Sequence, residues 1–273
     1  MQQTTQLLGE QLVTLLEHYG VTTVFGIPGV HTIEMYRGLA QSPIRHITPR
    51  HEQGAGFMAD GFARATGLVG VCLCITGPGM TNIATPMGQA YADSIPMLVI
   101  SSVNKTNTLG LGLGRLHELK DQSALITGVS AFSHTLLSAD ELPSIVARAF
   151  AVFSSSRPRP VHIEIPINLL TQPTSFNQHV HSALPTKPGP NLDTVQAIAE
   201  LLVNAQKKAI LVGGGCISAQ AFVQQFVDLV GAPTCLTINA RGLLPPDHPL
   251  LLDGVQTVNE FREYIKTLSL IHI

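Results

Sequence analysis

Charge is scarce in this chain. Only 12% of its 273 residues are Asp, Glu, Lys or Arg, and the formal net charge is −2. Such a balance supplies no basic surface for nucleic acid or an anionic membrane, so neither is expected as a partner. Long apolar runs are missing too, since no stretch reaches the ~18 residues of a membrane-spanning helix. The opening residues Met1-Gln2-Gln3-Thr4-Thr5 lack the basic start and apolar core of a signal peptide, which makes a cytoplasmic location the expectation. The four cysteines offer no convincing metal-ligand spacing. Cys72 and Cys74 alternate within Val71-Cys72-Leu73-Cys74-Ile75, and the reading for them is core packing on one face of a buried strand. No internal repeat is visible at the 20–50-residue periods of solenoids and propellers.

What is present is a core. Apolar residues make up 45% of the chain, and short apolar runs alternate with helical patterns over residues 8–166. Leu8, Leu12, Leu15, Leu16 and Tyr19 form a helical stripe that stops at Gly20. Strands are expected over 21–25, 44–48, 70–75, 97–101, 132–136 and 161–165, with helices over 32–40, from Glu52 onward, up to about Tyr91, and over 141–153. The continuous apolar run at 70–75 suits a buried parallel sheet. The fold class is therefore α/β, a doubly wound, mostly parallel sheet domain over residues 1–170. Residues 171–190, rich in Pro, Ser, Thr, Asn and Gln, read as a linker, and a partial second α/β, Rossmann-like domain covers 191–267. In that domain Asp193 and Gln196 look like a capping pair for a helix to Asn204. The polar, Gly-rich stretch 103–114 is long for a loop in a compact domain, and such loops are commonly functional.

The stretch around which the rest is organised runs from Pro49 to Arg64. A strand precedes it, and its helix opens with a carboxylate, Glu52. Ala55, Ala59 and Ala63 lie one turn apart, giving a small-residue face open to close approach by another backbone or a flat ligand. Gly54, Gly56 and Gly61 each cost roughly 1 kcal/mol of helix stability relative to Ala, so close contact is expected to outweigh propensity there. Taken alone, Glu52 reads first as an N-terminal helix carboxylate stabilised by the macrodipole. Gly213-Gly214-Gly215 sits between a strand and a helix. Its spacing is not G-x-G-x-x-G, which leaves a structural tight turn and a nucleotide-facing loop both open.

Five ordered phrases carry a resemblance. They are Phe25-Gly26-Ile27-Pro28-Gly29, the His51-Glu52 helix, Thr76-Gly77-Pro78-Gly79-Met80-Thr81-Asn82, Tyr91-Ala92-Asp93-Ser94-Ile95-Pro96, and Pro160-Val161-His162-Ile163-Glu164-Ile165-Pro166. Together they resemble the N-terminal pyrimidine-binding domain and part of the middle domain of thiamine diphosphate enzymes, in the acetolactate synthase and 2-oxo acid decarboxylase group. Within the group the likeness is greatest to decarboxylases of guanidino-substituted 2-oxo acids such as 5-guanidino-2-oxopentanoate, with acetolactate synthase as the alternative. The resemblance implies a carbon–carbon lyase or transferase in which Glu52 is catalytic. There it faces the aminopyrimidine and favours the tautomer that removes the thiazolium proton. It also implies cofactor contacts from Pro28, Gly29, Thr76, Gly77, Pro78, Gly79 and Asn82. Val30, His31, His117 and Glu118 then stand at the substrate end. His31 reads either as a proton donor or as a helix-start cap. Glu118 and Asp121 read either as attractants for a cationic substrate tail or as solvated helix residues.

The resemblance also implies groups that the sequence does not show. Family members carry a third domain whose Gly-Asp-Gly motif and downstream Asn hold Mg²⁺ and the diphosphate. This chain has no Gly-Asp-Gly; its nearest phrase is Leu252-Asp253-Gly254. Some members hold FAD in the middle domain, and FAD is not favoured here. A second copy of the full-length chain, in a dimer or tetramer, is the implied partner, with a small 2-oxo acid as substrate. The expectation is of an N-terminal part that is inactive alone, or one half of a split thiamine enzyme. A nucleotide-binding oxidoreductase would leave Glu52 unexplained. Leu268-Ser269-Leu270-Ile271-His272-Ile273 is what a transposase adaptor end encodes, so the native reading is expected to stop near Thr267.

Overall fold

A computed structural model describes residues 6–174, 183–252 and 259–268. Residues 175–182 of the expected linker, the Asp253-Gly254 phrase and the adaptor-like end after Leu268 lie outside the described residues. The chain forms two compact units, residues 1–188 and 189–273.

In chain order the first unit runs β1 (Gln6–Leu7), α1 (Leu8–His18), β2 (Thr23–Gly26), α2 (Ile33–Leu39), β3 (Arg45–Ile47), α3 (Glu52–Thr66), β4 (Gly70–Cys74) and α4 (Pro78–Asp93). It continues with β5 (Met97–Val103), α5 (Gln122–Thr127), β6 (Phe132–Thr135), α6 (Leu142–Ser155), β7 (Val161–Pro166), α7 (Ile167–Leu170) and β8 (Pro173–Thr174). Six strands form one sheet in the order β3-β2-β4-β5-β7-β6, every pairing parallel. β1 and β8 pair antiparallel, Gln6 opposite Thr174. The chain steps outward from β2 to β3, then crosses back to place β4 on the other side of β2. This reversal makes a crevice at the carboxyl ends of β2 and β4, the place where open α/β sheets bind ligands.

Side chains alternate along each strand and so build two cores. On one face Val24, Val71, Leu73, Leu98, Ile100, Val161, Ile163 and Ile165 pack against α1, α2 and α6. On the other, Phe25, Cys72, Cys74, Met97 and Val99 pack under Ala55 and Ala59 of α3, Ile83 and Met87 of α4, and Ile126 of α5. Cys72 and Cys74 are fully buried, and burial pushes both thiols up, as fits structural cysteines.

The small-residue face of α3 is filled by protein backbone and side chains. A Cβ on Gly70 would lie 2.3 Å from the Ala59 carbonyl oxygen, and one on Gly56 would lie 2.3 Å from Pro86 Cγ. Those two glycines let β4 and α4 close on the helix. Gly54 and Gly61 do not play that part: a Cβ on Gly54 meets only Pro49 Cβ at 3.8 Å, and Gly61 faces open space. Arg64, near the end of α3, binds Asp60 and reaches Asp93 Oδ2 at 2.6 Å, tying the C-terminal ends of α3 and α4 together.

The second unit contains α8 (Leu192–Asn204), β9 (Ile210–Val212), a 3₁₀ segment (Gly214–Ala219), α9 (Gln220–Val230), β10 (Thr234–Leu236) and α10 (Asn259–Lys266). β9 and β10 pair in parallel, over a small core of Val212, Val223, Val227, Leu236, Ala240, Leu243 and Leu244. The N-cap of α8 is Asn191, which accepts from the Thr194 amide at 2.9 Å; Gln196 instead donates to Glu200. The expected Asp193–Gln196 pair does not form because Asn191, one residue before the helix, already supplies the capping oxygen. Among the described residues no helix is long and apolar enough to cross a membrane.

Candidate functional site

The crevice is built from three turns that follow parallel strands. After β2 the chain turns through Pro28 and Gly29. Thr32 pins this turn: its Oγ1 accepts from the Gly29 amide and donates to the Gly29 carbonyl, both at 3.0 Å. A Cβ on Gly26 would lie 2.7 Å from Tyr36 Oη, so glycine lets the Tyr36 ring close against the end of β2. After β3 comes His51, the N-cap of α3, whose Nδ1 accepts from the Gln53 amide at 3.1 Å. Glu52 is thereby set at the first helical position, half-buried and within the field of the helix N-terminus.

After β4 the chain passes Thr76 and Gly77 into α4. Gly77 has φ +68°, a conformation that disfavours any side chain, and a Cβ there would lie 2.3 Å from the His117 carbonyl oxygen. The stretch expected as one sharp loop is therefore split. Thr76 and Gly77 turn, but Pro78 already opens the helix, where its fixed φ and missing N–H cost nothing. Asn82 consequently stands a turn inside α4 and points at α3. Its Nδ2 donates to Glu52 Oε2 at 2.9 Å.

Glu52, Asn82, Gly79 and Gly29 come together around Ile75. A Cβ on Gly79 would press on Ile75 Cγ2 at 2.8 Å and sit 3.6 Å from Glu52 Oε1; one on Gly29 would meet Ile75 Cδ1 at 2.6 Å. Glycine at both places lets the Ile75 side chain pack against the two turns, with Gly79 also next to the carboxylate. Glu52 is left with one oxygen engaged by Asn82, across Gly79 from the apolar side chain of Ile75. Such an arrangement can bind and orient a planar heterocycle and share a proton with it.

The residues expected at the substrate end separate into two kinds. His31 is 9% exposed, its Nδ1 has no hydrogen-bond partner among the described residues, and its ring lies edge-on to His117 with centroids 6.0 Å apart. Burial, then the nearby His117, lowers the His31 pKa, so the ring is neutral near pH 7. His117 holds a left-handed backbone, φ +56°, where its carbonyl touches Gly77. Val30 beside them is exposed. Glu118, by contrast, is engaged by its own loop. It accepts from the Arg115 amide at 2.8 Å and the Leu113 amide at 3.2 Å, and these donors hold its carboxyl below the usual range. Asp121 caps α5 through the Ala124 amide at 2.8 Å.

Sequence reading missed the buried groups behind the Thr76 turn. Gln122, Ser101, His162 and Glu164 are each under 5% exposed and hydrogen-bonded to one another or to their neighbours. Their only trace in the sequence was two polar residues alternating inside the apolar phrase Val161–Pro166. That pattern ordinarily marks a solvent face.

Two family models match the chain. One, described as the thiamine pyrophosphate enzyme N-terminal TPP binding domain, matches residues 7–125; the other, the thiamine pyrophosphate enzyme central domain, matches 195–266. A probable 2-ketoarginine decarboxylase of Pseudomonas aeruginosa is 51% identical over 251 residues, 91% of this chain and 44% of that protein. An acetolactate synthase of Mycobacterium bovis is 37% identical over 252 residues, 89% of this chain and 40% of that protein. A glyoxylate carboligase of Escherichia coli O157:H7 is 34% identical over 258 residues, 90% of this chain and 42% of that protein. The chain thus spans less than half the length of each of these relatives.

Proposed function

Because the chain belongs to the thiamine pyrophosphate enzymes, we propose that it forms the pyrimidine-side wall of the cofactor site in a 2-oxo acid decarboxylase. The observation that carries this is the placement of Glu52 at the start of α3, with Oε2 held by Asn82 and with Gly79 of α4 so close that a Cβ there would lie 3.6 Å from Oε1. When bound, thiamine diphosphate supplies a thiazolium carbon that accepts the electrons released on decarboxylation. The work of this chain is to hold and orient. Glu52 takes a ring proton or hydrogen bond on its free oxygen, Pro28 and Gly29 cover one edge, and Thr76, Gly77, Pro78 and Gly79 shape the other. His31 Nδ1, buried, neutral and unpartnered, faces the substrate end with His117 and Val30, where it donates or accepts according to its tautomer. Glu118 contributes by fixing the loop that carries His117.

The resemblance assigns Mg²⁺ and the diphosphate to a domain that these 273 residues do not include. The reading needs no FAD, and within the triple glycine Gly214 has a packing reason of its own: a Cβ there would lie 3.1 Å from Asn239 Cβ. A second copy of the chain is proposed as partner. Phe57 and Met58 on α3 are 43% and 45% exposed beside the open Gly61, an apolar patch that suits such a contact.

2-Ketoarginine is the favoured substrate, on the 51% identity to a protein of that description. Acetolactate synthesis is the second reading, on the 37% relative. In the enzyme carrying this chain, CO₂ release from 2-ketoarginine should exceed release from pyruvate, and Glu52→Gln should lower it roughly 10²–10⁴-fold. Acetolactate formed from pyruvate would move the assignment to the synthase. Full turnover in Glu52→Gln would refute the role of this carboxylate.

A further inference from the structure

We propose that Gln122 is a positioning residue: its amide holds the Gly77 peptide, and with it both the start of α4 and the His117 carbonyl, in place at the candidate site. What it positions rests on the thiamine reading; that it positions the turn stands on geometry alone.

Gln122 is 3% exposed and its side-chain amide meets five groups. Oε1 accepts from Thr76 Oγ1 at 2.9 Å and from the Gly77 amide at 2.8 Å. The two hydrogens of Nε2 are shared among three acceptors, Ser101 Oγ at 2.9 Å and the Ser102 carbonyl and Glu164 Oε2 at 3.0 Å each. The orientation of the amide follows from chemistry. A backbone N–H only donates and a backbone carbonyl only accepts, so oxygen must face Gly77 and nitrogen must face Ser102.

The rest of the network fixes Gln122 in turn. Ser101 Oγ also lies 2.8 Å from His162 Nε2. His162 Nδ1 lies 2.7 Å from Ser133 Oγ, which in turn pairs with Ser123 Oγ at 2.8 Å. Glu164 is held from its other side by Thr135 Oγ1. Groups on β5 and β7 and on the turn after β4 thus converge on one amide, backed by Ser133 and Thr135 of β6, and that amide grips the turn. Gly77 is clamped between Gln122 Oε1 and the His117 carbonyl. A shift of Gly77 would carry Gly79 and Asn82 away from Glu52 and His117 away from His31.

The test is 15N-resolved hydrogen exchange of the Gly77 amide in this chain, expressed as a protection factor. In the wild type Gly77 should be protected; an unprotected Gly77 overturns the proposal before any variant is made. Gln122→Met keeps the length and removes the polar atoms. It should lower Gly77 protection roughly tenfold, the equivalent of one buried hydrogen bond, while Val24 and Phe25 in β2 keep theirs. Unchanged Gly77 protection, or a loss matched by Val24 and Phe25, refutes the assignment.

Gln122→Glu supplies a readout that general loosening would not produce. It turns the donor side into an oxygen facing Glu164 and the Ser102 carbonyl. At alkaline pH two carboxylates oppose each other; as pH falls, a proton shared between positions 122 and 164 restores a donor. Burial already raises the Glu164 pKa. The ionisable groups facing this point are Glu164 and His162 from β7, His134 from β6, and Asp121 and His117 from the segment leading into α5. β5 has none, and those of α4, Tyr91 and Asp93, sit at its far end. His162 stays neutral above about 3, and the others are common to both proteins. The ratio of Gly77 protection in the wild type to that in the Gln122→Glu variant should therefore shrink toward one as pH falls, and a pH-independent ratio overturns the proposal. Glu52→Gln should leave Gly77 protection unaltered. Failure of the thiamine reading and failure of this one are thereby separable.

Discussion

The two faces of the central sheet are made from the same strands and solve different problems. The face under α1, α2 and α6 is apolar throughout, from Val24 on β2 to Ile163 on β7. The face under α3, α4 and α5 begins in the same way with Phe25 and Cys72 but ends in Ser101, His162 and Glu164. Both are buried. The first gains from apolar area alone, which is non-directional and tolerates repacking. The second places polar groups in a low-dielectric interior, where each must find a partner, and so fixes directions as well as contacts. The candidate site borders this polar half. Stability and positional accuracy are thus divided between faces only one side chain apart along each strand.

That division can be broken most strongly from the apolar side. Ile100→Ala removes a fully buried side chain and should cost ~2–5 kcal/mol by urea denaturation, while Gly77 protection relative to its neighbours stays as it was. If Gly77 is lost selectively, the faces are not independent.

A smaller effect separates them by pH. Burial pushes the His162 pKa from 6.5 down to about 3. Unfolded, this imidazole takes a proton near 6.5; folded, it does not until about 3, so unfolding takes up a proton throughout that window. Stability should fall as pH drops below about 6.5, by up to ~1.4 kcal/mol per pH unit from this group. Glu164 acts in the opposite sense. Its folded pKa is raised, so its contribution is full below 4.5 and is lost as pH climbs through the raised value. Comparing wild type with His162→Gln in urea titrations at pH 6.5 and about pH 5 isolates the histidine, and equal slopes would show that its burial carries no pH penalty.

The smallest effect sharpens the outer surface of the second face. Gly61 is helical with open space where a Cβ would go, so Gly61→Ala should raise the stability of the isolated chain by ~0.5–1 kcal/mol. Destabilisation instead would mean that something covers this part of α3. Sedimentation across a concentration series would then show whether it is a second copy.

Much of this was legible in advance because it rests on period and punctuation. Gly20 and the Pro-Gly turns mark element ends, and the continuous run at Gly70–Cys74 announces a strand buried on both sides. Glu52 was visible because a carboxylate at a helix start, after a strand, stands out in a chain so poor in charge. Asn82 was expected in a sharp loop and stands in α4 instead, since nothing in a Gly-Pro-Gly phrase says that Pro78 is already helical. The buried network was not legible. His162 and Glu164 look like solvent-facing residues until Gln122, about forty positions earlier, is known to lie against them. Long-range pairing of this kind leaves no local signature. The caps behaved similarly: Asn191 won over Asp193 by a margin that periodicity does not resolve.

The strand order has a consequence for how the chain is made. β5 lies between β4 and β7, so its second edge has no partner until residues 161–166 exist. β6 is synthesised before β7 yet pairs only with it. At roughly 5–20 residues per second, a nascent chain leaving the ribosome spends several seconds with the seven-residue edge of Met97–Val103 uncovered. This unit therefore closes its sheet in a single late step, and the window before it is when a chaperone, or a neighbouring nascent chain offering a strand of its own, would find it.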